Sequence, residues 1–343
     1  PKKAAPEKAA GHATAPGRTA AEIARTPLGP RPLPALVPTA ARRSPASAVV
    51  VTDGGLAITA VRRPSTPMVE VRLRIPFGGR DRVHAARAEL LAETILLGTA
   101  TLDRQQIDAA LAAVGGHLGA QVGPQRLLLS GSVLAPGLPT LLAILAEVVT
   151  GAAYRAVDVD RERDKLAEHV AIMGAQPSSI ARKHLQQRRF GGHPAAWELP
   201  EVDEVEAVTA AAVRGLHRRA VLPEGSALVL VGDLRPEATA RAAADALGGW
   251  AGTRPARVLA TPPAIVGGPV VAHHRPGAVQ SQTRLTVAGA ARTDPDYAAA
   301  QLANLVFGGY FSSRLVENIR EDKGFTYSAH SSFEFWPGRS AVT

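Results

Sequence analysis

Two side chains of this sequence, an arginine and a tyrosine seven residues apart, have types and spacing suited to chemistry on a peptide bond. Arg320 and Tyr327 occur in the pattern R-E-x-K-G-x-x-Y. An arginine that ends a helix and a tyrosine that opens the following strand can both reach one bound peptide carbonyl. The alternative is an Arg320 that pairs with Glu317 or Glu321 and a Tyr327 that packs in a sheet. The residues around the pair are REDKGFTY, and at this point both interpretations remain open.

The elements that must position this pair belong to a mixed pattern of strands and amphipathic helices. Alternation with a period of two predicts strands, as in VEVRLRI at 69–75, and helical spacing of apolar residues predicts helices, as in AELLAETILLG, which should stop at Gly98. The same reasoning predicts a hairpin at 48–63, a helix at 103–116, a strand pair at 118–134, helices at 136–151, 159–173 and 178–190, and a strand at 226–234. This mixture indicates a layered α+β fold.

A partial internal repeat predicts a duplicated domain. RLRIPFGGRD, from Arg72, is similar to RLTVAGAART, from Arg284, 212 positions later, and a helical pattern follows each. A Pro- and Gly-rich stretch without periodicity separates them. The predicted organisation is a disordered Pro/Ala/Lys-rich tail at 1–47, a first domain at 48–251, a linker at 252–269 and the start of a second, truncated domain at 270–343. Because only 76 residues follow Gly267, we expect the natural chain to continue beyond Thr343.

The REDKGFTY segment and three further landmarks resemble the pitrilysin/insulinase family of zinc metallopeptidases. The landmarks are FGGHP at 190–194, VLVGDL at 229–234 and GGYFSSRL at 308–315, and the resemblance covers roughly 48–335. Their order and spacing together carry the resemblance. It implies two homologous α/β layer domains of the metallopeptidase type shared by processing peptidases and LuxS, with the second domain truncated.

The resemblance also shows that the family's zinc motif is degenerate in this sequence. Active relatives carry H-x-x-E-H on a helix of the first domain, with a general base between the two histidines, and a further glutamate on a later helix. Aligned on Gly98, the motif falls on Glu89, Ala92 and Glu93, and the later ligand falls on His169. These two carboxylates and the imidazole could still hold a metal, or the glutamates could form a solvated pair at an inactive site. We expect no metal or other cofactor on this chain, and no peptidase activity from it alone.

Within the family, a lost zinc motif is compatible with a retained Arg320 and Tyr327. Some relatives are heterodimers, in which one subunit supplies zinc and the other an Arg/Tyr pair that stabilises the oxyanion. This sequence resembles the non-zinc subunit, which would bind a peptide or unfolded polypeptide and act with a zinc-bearing homologous subunit. A peptide would add as a strand at 118–122, where Gly119 and Ala120 allow close approach, although a glycine there also fits a turn or bulge. A structural or assembly subunit, or a peptide-binding protein with no proteolytic role, is the alternative.

Composition excludes other classes of protein. The net charge is +9, but residues 1–47 contribute +6 of it, so we predict no nucleic-acid-binding face on the folded part. The sequence has no cysteine, which excludes disulfides and thiolate metal sites, and no apolar run long enough to span a membrane. The Pro/Ala/Lys-rich leader is typical of an exported bacterial protein, so we expect the periplasm or cell envelope, with the cytoplasm as the alternative.

Overall fold

The computed structural model describes residues 44–253 and 259–343, and the described residues from Pro45 onward form one compact unit. Most of the predicted tail and part of the predicted linker, 254–258, lie outside the described residues. The strands are β1 (Ser47–Val51), β2 (Ala57–Arg62), β3 (Met68–Pro76), β4 (His117–Gly123), β5 (Arg126–Leu134), β6 (Ala227–Gly232), β7 (Val287–Ala288), β8 (Phe333–Trp336) and β9 (Arg339–Val342). The helices are α1 (Arg82–Thr94), α2 (Arg104–Ala113), α3 (Leu138–Gly151), α4 (Ala156–Ala175), α5 (Pro177–Phe190), α6 (Val202–Glu206), α7 (Ala210–Ala220), α8 (Pro236–Ala246), α9 (Tyr297–Asn304) and α10 (Arg314–Val316). Two π-helical segments, Leu305–Gly309 and Glu317–Asp322, continue α9 and α10.

The larger sheet has six strands in the order β1-β2-β6-β3-β5-β4. β1 and β2 form the predicted hairpin, which begins one residue earlier than predicted, at Ser47. Gly55 in its turn has a φ of +81°, a conformation that favours glycine. β2 runs parallel to β6, and β3 lies antiparallel between β6 and β5. As the alternation predicts, the apolar side chains of β3 are the buried ones: Val69, Val71, Leu73 and Ile75.

α1 packs against β4 and against α4, α6 and α7. It begins at the N-cap Asp81, whose carboxylate accepts a hydrogen bond from His84 N–H at 2.7 Å. The prediction that Gly98 stops this helix was wrong by four residues. α1 ends at Thr94, because a tight turn closes from Leu97 N–H to Thr94 O at 3.1 Å, and Gly98 lies in the following loop.

The last part of the described chain repeats the topology of the first part. The order β3, α1, α2, β4, β5 recurs as β7, α9, α10, β8, β9. Both sets pair antiparallel, as β3-β5-β4 in the larger sheet and β7-β9-β8 in a sheet of three strands. The repeated topology agrees with the duplication read from the sequence, and the fold is α+β. The strand expected from Arg284 shrinks to Val287 and Ala288, because only these two residues find partners on β9.

The second repeat leaves large apolar side chains exposed. α9 buries none of its residues. The exposed apolar surface is defined by Leu302, Leu305, Val306, Phe307, Tyr310, Phe311 and Phe325. Among the described residues, no helix combines the length and apolarity that crossing a bilayer requires.

A buried polar pair joins the segment after α3 to α7. The Tyr154 hydroxyl lies 2.7 Å from His217 Nδ1, and His217 Nε2 lies 3.0 Å from Val149 O. Because a carbonyl only accepts, Nε2 carries the proton and Tyr154 donates to Nδ1. Tyr154 has a φ of +45°, and Arg214 fixes it by donating to its carbonyl oxygen at 2.7 Å. Burial lowers the pKa of His217, so the ring is neutral and both of its nitrogens are paired.

Candidate functional site

The helix at the predicted metal position, α1, presents two glutamates and an alanine. Glu89 and Glu93 are four residues apart and therefore share a helical face, and Ala92 is buried. Glu93 is exposed, whereas Glu89 is partly buried. Burial, reinforced by the charge of Glu93, raises the pKa of Glu89 from its ordinary value of 4.5 to about 7. Glu89 is therefore about half protonated at neutral pH, and Ala92 offers no group that could take a proton from water.

His169, the predicted later ligand, lies on α4, which packs against α1. The side chains of His169 and its neighbour Glu168 are exposed. In the described chain no hydrogen bond or ion pair joins His169 to Glu89 or Glu93. Within residues 44–253 and 259–343, no three Cys, His, Asp or Glu side chains are placed so that they could hold a metal ion. Carboxylate and imidazole are ligand types that zinc accepts, but the structure does not gather these three residues into one set.

Arg320 lies in the π-helical segment that continues α10, close to its end, as the sequence predicts. Its guanidinium stacks 4.7 Å from the centre of the Phe311 ring, and its Nε lies 3.4 Å from the Glu321 carboxylate. Glu321 is one of the two glutamates with which the non-functional interpretation of the sequence paired Arg320. An ion pair between partly exposed neighbours contributes little, so it leaves the Arg320 side chain able to bind another group.

Tyr327 lies outside any strand, and its side chain is 92% exposed. The prediction that it opens a strand was wrong, because β9 offers partners only from Phe333 onward, opposite Val342. In the described chain no hydrogen bond joins Tyr327 or Arg320 to α1. The Tyr327 side chain therefore faces solvent, whereas the Arg320 side chain is partly buried against the Phe311 ring.

The segment predicted to receive a peptide is β4, and β4 is an edge strand. It pairs with β5 and with no other described strand, which leaves one row of its backbone groups free. The register with β5 is continuous through Gly119 and Ala120, so neither residue forms a turn or bulge. Gly131 of β5 allows this pairing, since a side chain there would come within 2.3 Å of His117 O. α1 packs beside β4, so the free edge and the two glutamates belong to the same part of the molecule.

Comparison with known families accounts for most of the described chain. A family model described as Insulinase (Peptidase family M16) matches residues 58–200, which include α1 and β4. A second model, described as Peptidase M16 inactive domain, matches residues 207–335, which include Arg320 and Tyr327. The chain belongs to peptidase family M16.

Proteins of related sequence or fold come from several bacteria. An uncharacterized zinc protease of Mycobacterium leprae is 25% identical over 308 residues, with 88% of this chain and 69% of that protein covered. The crystal structure of a peptidase M16 inactive domain from Pseudomonas fluorescens has a TM-score of 0.70 at 23% identity, covering 87% of this chain and 73% of its own. A protease from Helicobacter pylori has a TM-score of 0.72 at 16% identity, with coverages of 87% and 74%. The two solved structures establish the M16 fold of this chain.

Arg189 of α5 links the two repeats of this M16 chain, and the sequence analysis did not single it out. Its side chain is 1% exposed. Its Nη1 donates to Glu334 Oε2 of β8 at 2.6 Å, and its Nε and Nη2 donate to the Thr286 hydroxyl at 3.0 and 2.6 Å. Nη2 also donates to the Thr343 hydroxyl. Thr286 precedes β7 and Thr343 follows β9, so one guanidinium anchors all three strands of the smaller sheet to α5.

A second arginine of α5 completes the link between the repeats. Arg182 donates to the other oxygen of Glu334, Oε1, at 3.2 Å, and holds Glu198 through two of its nitrogens. Phe190, at the end of α5, packs edge-on against Trp336 of β8 with ring centres 4.8 Å apart. The contact between the repeats is therefore a buried ionic pair beside an aromatic pair.

The sequence carries only a weak signal for Arg189. The neighbouring Arg188 is exposed, so residue type alone does not distinguish the buried arginine from the exposed one. Arg189 follows the buried Leu185 by four positions, which puts it on the apolar face of α5. An arginine on an apolar helical face needs a buried partner, but the sequence does not show that the partner is Glu334, 145 residues later.

Proposed function

We propose that this chain is a catalytically inactive, accessory member of peptidase family M16. It binds an extended peptide along β4 and presents Arg320 and Tyr327 to the zinc site of a homologous partner subunit. The proposal is supported by a contrast between α1, which lacks a general base, and the segment that carries Arg320 and Tyr327. The position of the general base on α1 is Ala92, whereas the two side chains suited to stabilising an oxyanion are present, with Tyr327 exposed and Arg320 partly exposed.

The chemistry follows from the hydrogen-bonding capacity of each group. The free edge of β4 offers backbone N–H and C=O groups that hold any extended peptide, largely regardless of its side chains. Zinc on the partner subunit would supply the activated water. The Arg320 guanidinium and the Tyr327 hydroxyl donate to the carbonyl oxygen that becomes negatively charged in the transition state. Tyr327 is exposed and Arg320 is partly exposed in the isolated chain, and closing a partner over them would strengthen their interaction with that charge.

The test is cleavage of a fluorogenic peptide by this chain combined with a zinc-bearing M16 subunit encoded in the same genome. Arg320→Ala and Tyr327→Phe should each lower kcat about ten- to a thousand-fold with little change in KM, as expected of groups that act in the transition state. Arg314→Ala and Tyr310→Phe are the matched controls, because both side chains are exposed in the same segment. These control variants should cleave at the wild-type rate.

Two results would contradict the proposal. One is chelator-sensitive cleavage by the purified chain alone at the rate of the combined subunits. The other is wild-type kcat in both Arg320→Ala and Tyr327→Phe. Analytical ultracentrifugation of each variant with the partner shows whether a loss of rate is a loss of assembly instead.

The second candidate function, an assembly or structural subunit, is favoured by the exposed apolar surface of the second repeat. Seven large apolar side chains in and after α9 are exposed, and such surfaces commonly bind other proteins. This role predicts a stable complex in which Arg320→Ala and Tyr327→Phe have no effect, whereas Phe307→Ser weakens association. The cleavage assay and the sedimentation experiment together distinguish the two functions.

A further inference from the structure

A small cavity opens between the start of α1 and the end of α7. Its volume is about 100 Å³. Gly78 and the side chains of Asp81, His84, Arg87 and Arg219 form its polar lining. None of these residues belongs to the site proposed above, which uses the later part of α1, the edge strand β4 and the second repeat.

The two arginines that line the cavity have no counterion in the part of the chain that the structure describes. Within residues 44–253 and 259–343, no ion pair or hydrogen bond joins Arg87 or Arg219 to another side chain or to the backbone. Arg82, one turn before Arg87, is different, because it pairs with Glu201 at 2.9 Å and with Glu204 at 2.6 Å. Two like charges at one cavity repel each other unless an anion lies between them.

Two backbone N–H groups near the arginines also have no acceptor among the described residues. Gly78 and Gly79 are buried, and in the described part of the chain neither N–H group donates a hydrogen bond. Buried N–H groups in folded proteins nearly always have an acceptor, so these two groups are donors suited to a molecule bound in the cavity. Position 79 favours glycine, because the Cβ of any other residue would come within 2.0 Å of the His84 ring. Consecutive backbone N–H groups in such a loop form concavities that suit anions.

The remaining polar groups of the cavity already have partners within the protein. His84 Nε2 donates to Phe77 O at 2.9 Å, and the Asp81 carboxylate accepts from His84 N–H at 2.7 Å. The fixed charges of the lining are therefore two guanidinium groups against one carboxylate. Among the described residues that line it, the cavity therefore has a net positive charge, and the Asp81 carboxylate is the N-cap of α1.

We propose that this cavity is a binding site for a small oxyanion, a phosphate or a carboxylate group, held by Arg87, Arg219 and the Gly78 N–H. A guanidinium presents paired donors that match two oxygens of either group. The volume admits one such group and little more. The group can belong to free inorganic phosphate or to the C-terminal carboxylate of a peptide. This inference does not depend on the proposed accessory function.

Isothermal titration of the 343-residue chain with inorganic phosphate, in a buffer of low chloride, tests the site. Arg87→Gln and Arg219→Gln should each weaken binding about tenfold or more, because each removes a charged pair of donors. Asp81→Asn should strengthen binding several-fold, because asparagine keeps the N-cap and removes the only opposing charge. Arg241→Gln, at an exposed arginine of α8 away from the cavity, is the control and should bind like the wild type.

The Asp81→Asn variant makes the test decisive. A general effect on folding would weaken binding in every variant of the cavity, whereas the proposal requires opposite changes for the carboxylate and the guanidinium groups. Equal affinity in the wild type and in both glutamine variants, or weaker binding by Asp81→Asn, would overturn the proposal. An equal loss in Arg241→Gln would overturn it too, since it would assign phosphate binding to the basic surface as a whole.

Competition experiments identify the source of the anion. A short peptide with a free C-terminus that displaces phosphate, while its amidated form does not, assigns the cavity to peptide termini. If neither peptide displaces phosphate at millimolar concentration, the ligand is a free small anion. Both outcomes support the site, whereas displacement by the amidated peptide alone contradicts it.

Discussion

Replacing Glu89 with glutamine should stabilise the protein, and the gain should grow with pH. The pKa of Glu89 is raised to about 7 by burial and by the charge of Glu93, whereas in the unfolded chain it returns to about 4.5. A carboxyl that binds its proton more tightly in the folded state favours folding while it is protonated and opposes folding once it is ionised. The stability due to this group is therefore present below pH 4.5 and is lost as the pH rises to about 7.

The magnitude follows from the two pKa values. Each tenfold change in proton affinity corresponds to about 1.4 kcal/mol, so ionised Glu89 lowers the free energy of unfolding by about 3 kcal/mol at about pH 8. At about pH 5 only the unfolded chain is largely ionised at this residue, and the penalty is about 1 kcal/mol. Glutamine carries no charge at either pH. We therefore expect Glu89→Gln to raise the free energy of unfolding by these amounts.

Urea unfolding of the wild type and Glu89→Gln at both pH values measures the difference. Glu93→Gln is the matched control. Because the Glu93 side chain is exposed, this substitution should change the free energy of unfolding little at low pH. At high pH it removes a charge beside Glu89, so it should reduce the destabilisation caused by ionised Glu89. An equal gain at both pH values, or destabilisation at high pH, would refute the reasoning. Zinc that stabilises the wild type but not Glu89→Gln would also refute it, because it would show that this helical face holds a metal.

Three further predictions concern other parts of the fold. Arg189→Met should lower the free energy of unfolding by about 2–3 kcal/mol, because Glu334, which is 17% exposed, keeps only the weaker contact with Arg182 at 3.2 Å. Arg188→Met, at an exposed neighbour, should change the free energy of unfolding by less than about 0.5 kcal/mol in the same urea titration. Equal effects of the two substitutions would contradict the structure. Burial lowers the pKa of His217 below its ordinary 6.5, so the folded state binds this proton less readily and the free energy of unfolding falls as the pH drops below 6.5. In urea titrations over this range, the free energy of unfolding of His217→Gln should fall less with pH than that of the wild type. An unchanged pH dependence would contradict the buried neutral ring. Gly131→Ala should lower the free energy of unfolding by about 1–3 kcal/mol, because the added methyl group would press on the backbone of β4. Wild-type stability, with the β4 amides still protected from hydrogen exchange, would contradict this prediction, because it would show that β4 and β5 accommodate the methyl group.

The local structure of this chain could be predicted because its determinants are close together in the sequence. The alternation of β3 and the Asp-Gly-Gly turn before β2 each specify backbone geometry within a few residues. The duplication was also visible, because the residues around Arg72 and Arg284 remain similar. In the fold, the two parts share a strand order, although their strand lengths differ.

The features that the sequence did not predict depend on contacts between residues that are far apart in the chain. β7 has two residues because its length depends on how far β9 extends beside it, and Tyr327 stays outside a strand for the same reason. The partners of Arg189 come from three segments more than 90 residues away, so no window of sequence contains them. The cavity beside Arg87 was missed because its second arginine, Arg219, comes from a helix distant in the sequence.

The link through Glu334 has a consequence for the proposed chemistry. Arg320 and Tyr327 belong to the segment that leads directly into β8, and Glu334 lies within β8. α5 holds Glu334 from one repeat, and it also reaches α6 through Lys183, which pairs with Glu201 at 2.6 Å. The orientation of the Arg/Tyr segment relative to the free edge of β4 therefore depends on ion pairs. The pair of Arg189 with Glu334 is largely buried and is weakly screened by salt, whereas the pair of Lys183 with Glu201 is exposed. Glu334→Gln should then lower the rate with a zinc-bearing partner although it touches neither Arg320 nor Tyr327, and an unchanged rate in a folded Glu334→Gln protein would show that the partner alone sets that orientation.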